Sequence, residues 1–159
     1  MYTDNKFVKK PGALVSYTPE MLDELAKCSD PLNGPMYFMS NFMYIQHATK
    51  GRMKFDPFDY QIELCEVYHN YRSSIAMIGR QLGKTTLAAG YLLWYAMFVP
   101  DSTILIAAHQ RSGASEIMQR IRYCYESIPD HIRAGGSEYN KGSMTFDNGS
   151  RIVAQATTE

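Results

Sequence analysis

Apolar and polar residues follow different patterns on the two sides of residue 73. Residues 1–17 show no period and are read as an arm, with Lys6, Lys9 and Lys10 solvated. Thr18-Pro19-Glu20 is a helix start, with a hydroxyl to cap, a proline in the first turn and an acid beside it. That helix covers EMLDELAKC and stops by SDPLNGP. A second, aromatic-rich helix is predicted from Met36 to His47, its rings packing it onto the rest of the fold. A glycine turn and a short extended stretch then lead into a helix from about Asp59 to Asn70.

From Ser73 the pattern becomes α/β. Ser73–Ile78 and Ser102–His109 are short apolar runs that read as buried strands. Helices are predicted over Lys84–Phe98 and Gly113–Ile128, ended with the help of Pro100 and Pro129. SMTFDNGSRIVAQA reads as a hairpin, because Asn148 and Gly149 tolerate positive φ. Buried strands alternating with helices point to a parallel sheet covered by helices. The chain accordingly divides into an arm and helical extension over 1–57 and an α/β unit over 58–159. No internal repeat or low-complexity tract interrupts either part.

Composition narrows the classes. The chain has 159 residues, 45% hydrophobic and 20% charged, with a formal net charge of zero. That is one domain's worth of ordinary globular sequence, without a global basic field to draw it to nucleic acid or a membrane. Cys28, Cys65 and Cys124 are odd in number and widely spaced, so they read as reduced core or boundary thiols of a cytosolic protein. His47, His69, His109 and His131 lack metal-ligand spacing. The N-terminus has no long apolar segment of the signal-peptide kind, and the longest apolar segment, Thr86–Val99, is too short to span a bilayer.

The candidate chemistry lies in GRQLGKTT, residues 79–86. Gly83-Lys84-Thr85 is read as standing between a buried strand and a long helix, the context of a phosphate-binding loop. There, backbone N–H groups and a helix N-terminus face the phosphates, Lys84 lies against the β- and γ-phosphates, and the Thr85 hydroxyl holds magnesium. A lysine at a helix start otherwise sits against the positive end of the helix dipole. The loop is a variant, with Ile78 where the first glycine of the motif belongs, and Gly79 supplies part of the flexibility. Arg80 is a guanidinium inside the loop, placed to meet a γ-phosphate or a neighbouring acid. Upstream, Tyr60-Gln61 is an aromatic–amide pair of the kind that clamps adenine. Arg120, Arg122 and Arg133 are candidate DNA contacts, with solvated surface the simpler reading.

Taken together, these segments resemble the ATPase end of the tailed-phage terminase large subunit, of the myovirus type. The carriers are YTPEMLDELAKCSDP, YFMSNFMYIQHATKG, FDYQ, GRQLGKTT, ILIAAHQRSGASEIMQRI and YNKGSMTFDNGSRIVA, with the R-Q-x-G-K-[ST] loop the most specific. The resemblance implies a partial RecA-like P-loop sheet flanked by helices, with an N-terminal helical extension and a C-terminal hairpin. It implies ATP and Mg2+ as cofactors, bound by Tyr60, Gln61, Gly79, Arg80, Gln81, Gly83, Lys84, Thr85 and Thr86. Among these, Arg80 and Lys84 act in catalysis and Thr85 on the metal. It further implies double-stranded viral DNA, the portal protein of the procapsid and the small terminase subunit as partners, in a homo-oligomeric ring. No membrane is involved; the place of action is the host cytoplasm, docked transiently on the portal. The stretch ILIAAHQRSGASE lies near moving parts of the motor in that family.

One component of such an ATPase is not found. An apolar strand ending in an acidic pair, to hold magnesium through water and to activate the attacking water, has no convincing counterpart before Glu159. Asp147 ends an apolar run but is followed by turn residues. The expectation is an N-terminal piece of the ATPase without the acidic pair or the nuclease, its two central strands not direct neighbours and an apolar face left uncovered. Such a chain binds ATP and does not sustain hydrolysis. The alternatives are a fragment of a helicase-like RecA-type ATPase and a non-catalytic nucleotide-binding fragment.

Overall fold

A computed structural model of the chain describes residues 7–47 and 49–157. It is an α/β structure with five helices and two sheets among the described residues. Helix α1 spans Pro19–Cys28, with Thr18 as its cap, the hydroxyl accepting from the Met21 N–H at 3.3 Å. Helix α2 spans Gly34–Phe42. Strands β1 (Tyr44–His47) and β2 (Gly51–Lys54) pair antiparallel as a separate hairpin, and α3 follows at Asp59–Asn70. The α/β part is α4 (Lys84–Phe98), β3 (Thr103–Ala108), α5 (Arg111–Ser127), β4 (Gly136–Tyr139), β5 (Ser143–Phe146) and β6 (Arg151–Ala156).

The larger sheet runs β3-β6-β5-β4, with β3 and β6 parallel and the other two pairs antiparallel. It is therefore mixed, where the sequence suggested a parallel sheet. Burial alternates along β3 and β6: Ile106 and Ile152 point into the core, while Leu105 is 61% exposed. Two-residue periodicity of this kind marks a sheet covered on one face only. Helix α5 packs against β3, β6 and α4.

Four expectations need correction. Ser73–Ile78 is not a buried strand: it forms no ladder, and Ile75 and Met77 are 92% and 94% exposed. An apolar run becomes a strand only where another strand completes its hydrogen bonds, and β3 has no neighbour on its open edge. The helix predicted to His47 stops at Phe42, because Tyr44–His47 finds a ladder partner across the turn at Gly51, whose φ is +68°. Strand β4 was not anticipated. Nor is Lys9 solvated: its ammonium donates to the Asp130 and Arg133 carbonyls at 2.9 Å, and burial is the chief cause lowering its pKa. Lys6 and Glu159 lie outside the described residues.

The β5–β6 connection shows how the sheet is tied to α4. Phe146 N–H donates to Ser150 O at 2.8 Å across a three-residue loop in which Gly149 takes φ +84°. The Asn148 amide donates to the Ala96 and Met97 carbonyls at 2.9 and 3.1 Å, satisfying the C-terminal end of α4. On its other side α4 carries the N-terminal helices. Trp94 Nε1 donates to the Cys28 carbonyl at 2.7 Å, and Gly90 leaves room for the sulfurs of Met39 and Met43. One hydrophobic cluster joins Phe38, Met39, Leu87, Leu93, Ile121 and Ile152.

The three cysteines are buried and free, and burial pushes their thiols up, to about 12 for Cys28 and Cys124 and about 11 for Cys65. A raised folded-state pKa means that above pH 9 the unfolded chain loses these protons while the folded chain keeps them, so stability falls as pH rises toward 11. The slope is at most about 1.4 kcal/mol per pH unit per thiol. Urea melts between pH 8 and 11 should show midpoints falling with pH, and a Cys65→Ser variant should flatten the slope. Alkylation at pH 8 should be slow until denaturant is added.

Candidate nucleotide-binding loop

The turn from Gly79 to Gly83 joins the exposed segment to α4. Two of its residues take left-handed backbone, Gln81 at φ +62° and Gly83 at φ +72°. Gly83 is the N-cap of α4 and offers no side-chain cap, and no acid lies in the first turn. The first N–H groups of α4 have no intrahelical partner by construction. The helix thus begins with open donors and a cation, Lys84, at its positive end. The Lys84 ammonium folds back onto the Ile78 carbonyl at 2.8 Å and the Gly79 carbonyl at 3.4 Å.

Helix α3 holds this turn from the side. The Tyr60 hydroxyl donates to Leu82 O at 2.6 Å, and the Gln61 amide donates to Gly83 O at 3.4 Å. Gln61 is only 2% exposed, and its carbonyl accepts from the Phe58 N–H at 3.0 Å. Both ends of that amide are therefore engaged within the protein. The Tyr60 ring stacks on Phe58, centroids 5.7 Å apart and planes 10° from parallel. A Cβ on residue 83 would stand 2.6 Å from Gln61 Nε2. The pairs 60–82 and 61–83, each 22 residues apart, make α3 and the loop one unit.

A groove of about 420 Å³ lies over the loop, lined by residues 80–86 and by Arg120 of α5. Arg80 and Gln81 are exposed at its mouth, while Lys84, Thr85 and Thr86 are half-buried. The structure thus brings together Gly83, Lys84, Thr85, Thr86, Gln81 and Arg80, and sets Tyr60 and Gln61 behind the turn. Arg120 was not expected there. Its Nη1 donates to the Thr86 hydroxyl at 3.3 Å, and Nη2 pairs with Glu116 at 2.7 Å. Its Nε is buried without a partner. Nothing local in the sequence links residue 120 to residue 86.

The other two arginines are structural. Arg122 lies over the Tyr139 ring, 4.8 Å from its centroid. Arg133 donates to the carbonyls of Phe7, Glu126 and Ile128 and lies 5.5 Å from the centre of the Tyr125 ring. Asp147 is remote from the loop, because its turn meets the C-terminal end of α4, and that 15-residue helix is about 20 Å long. Among the described residues no group of three or more His, Cys, Asp or Glu is placed to hold a metal ion. No helix among them is long and apolar enough to cross a membrane.

The loop, α4, β3, α5 and the hairpin lie within one stretch that matches a known family. The model of the terminase large subunit, T4likevirus-type, N-terminal, matches residues 75–159, more than half of the chain. Helix α3, with Tyr60 and Gln61, and the β1–β2 hairpin precede that stretch. The chain belongs to the T4-like terminase large-subunit family, in its N-terminal part.

Proposed function

We propose that the chain is the phosphate-gripping part of the ATP-driven motor that packages phage DNA. The observation that carries this is the loop itself: a family-matched turn with two left-handed residues, opening an uncapped helix whose first residue is Lys84. An anion offsets both the unpaired N–H groups and the misplaced cation. In this reading the β- and γ-phosphates lie on residues 81–86, and the Lys84 ammonium exchanges the Ile78 and Gly79 carbonyls for phosphate oxygens. Arg80, at the open mouth, meets the γ-phosphate. Tyr60 and Gln61 hold the loop in shape from α3.

Magnesium fits the donors in a limited way. Thr85 offers one hydroxyl, in keeping with an ion that keeps its waters and binds chiefly to substrate phosphates. When bound there, the ion would neutralise phosphate charge as the γ-phosphoryl leaves. Among the described residues the groove lining contains no carboxylate, and the neighbouring Glu116 is paired with Arg120 at 2.7 Å. ATP binding without sustained turnover is the activity proposed for it alone.

The wider assignments rest on family membership. The fold is read as part of a RecA-like P-loop sheet, and the work as translocation of double-stranded DNA into the procapsid. The portal protein, the small terminase subunit and a homo-oligomeric ring are the proposed partners, with the host cytoplasm and the portal vertex as the place of action. Heat denaturation tests the ligand directly. Mg-ATP at about 100 times its dissociation constant should add about 2.7 kcal/mol and raise the melting temperature. No rise, or an equal rise for Lys84→Ala, would sink the proposal.

A further inference from the structure

Residues 7–11 lie across the connection from α5 to β4, held by partners more than 120 residues along the chain. The Arg133 guanidinium donates to the Phe7 carbonyl, the Lys9 ammonium to the Asp130 and Arg133 carbonyls, and the Gly136 N–H to the Lys9 carbonyl, each at 2.9 Å. The Asp130 and Asp147 carboxylates attract the same ammonium. Val8 is buried, its Cγ1 standing 3.0 Å from where a Cβ on residue 136 would be, and the Pro11 Cα stands as close to a Cβ on residue 135. The two glycines let this short segment lie directly on the backbone. Beyond it Gly12 turns the chain at φ +66°, and residues 13–18 form no helix or strand before α1. Leu14, in the middle of that connector, is 101% exposed, more than Ile75 or Met77.

We infer that this seat takes the arm of a second copy of the chain in place of its own. The inference stands apart from the nucleotide reading and gives the proposed self-association a physical contact. Three observations carry it. The bonds named above all run between the arm and residues 130–136, so a neighbour's arm makes the same set and exchange costs no contact. The connector, residues 12–18, is exposed along most of its length, and its seven residues fully extended reach about 23–25 Å, enough to cross to an adjoining copy. Leu14 stands bare on a single chain, whereas two connectors running past each other cover it. Concentration then decides which copy supplies the arm. In dilute solution the chain's own arm has the higher effective concentration, and a neighbour's competes once copies are held together.

Val8→Cys and Gly136→Cys place two thiols within disulfide reach whenever an arm is seated. The whole chain is made with both substitutions, and also as the two single variants, which are mixed. Each sample is treated with oxidised glutathione, and linked peptides are identified by mass spectrometry. Melting temperatures confirm that each variant is folded, and the native thiols are buried and slow to react. Exchange predicts a link from residue 8 to residue 136 between the two chains of the mixture. Its yield should rise about tenfold for a tenfold rise in chain concentration while the dimer is scarce. Adding Leu14→Glu should cut that yield at least about tenfold and leave the link within one chain of the double variant unchanged. A link confined to single chains at every concentration overturns the exchange, and so does the absence of any link in the folded double variant. Neither result touches the loop, whose Lys84-dependent binding is measured separately.

Discussion

Trp94→Ala should lower the unfolding free energy by about 3–5 kcal/mol, enough to unfold much of the population of a marginal domain. Trp94 is the sole tryptophan and is almost fully buried at the centre of α4. It stacks on Phe98 at 6.1 Å and 24°, meets His69 edge-on at 5.6 Å, and lies 6.0 Å from the Tyr91 ring. Its indole N–H also satisfies the Cys28 carbonyl at the end of α1. Alanine would leave a ring-sized cavity where α1, α2 and α3 meet α4, and an acceptor without its donor. Trp94→Phe separates the terms, keeping most of the volume and losing the hydrogen bond, at about 1–3 kcal/mol. Urea unfolding followed by far-ultraviolet circular dichroism measures both without a tryptophan signal. A loss below that of Trp94→Phe would mean that the N-terminal helices are not docked as described.

Lys84→Ala should weaken ATP about 100-fold or more, the scale of removing one partner from a desolvated charge pair. It should leave the fold intact. The half-buried ammonium bonds only two carbonyls of the adjoining turn, and its charge stands against the helix dipole. Lys84→Arg should restore little, because a planar guanidinium does not fit a site shaped for a point charge on a flexible stem. Equilibrium titration of the three proteins, with melting temperatures alongside, checks both claims. A drop in stability matching the drop in affinity would instead make Lys84 a fastener of the turn.

Where structure follows from neighbouring residues, the sequence was legible. Helix α3 begins at Asp59 and ends at Asn70, and α4 runs from Lys84 to Phe98, as predicted, because proline, glycine and capping residues mark those ends locally. The Gly79–Gly83 turn was visible for the same reason, and Tyr60 and Gln61, singled out upstream of it, lie against it. What failed depended on partners. Ser73–Ile78 has the composition of a buried strand, but composition does not say what lies beside it. Tyr44–His47 continued an aromatic helical pattern until the neighbouring Gly51–Lys54 strand paired with it. Arg120 reaches Thr86 across 34 residues and Lys9 reaches Arg133 across 124, distances at which no spacing rule operates. Asn148 was read as a turn former; that it also caps α4 required knowing where α4 ends in space.

The central claim is that phosphates lie on residues 81–86 and displace the Lys84 ammonium. A crystal structure of the chain grown with magnesium and a non-hydrolysable ATP analogue tests it most directly. The account predicts the phosphates against the α4 N-terminus, the ammonium released from the Ile78 and Gly79 carbonyls, and Thr85 beside the metal. Phosphates bound elsewhere, or on the loop with Lys84 still on those carbonyls, would contradict it.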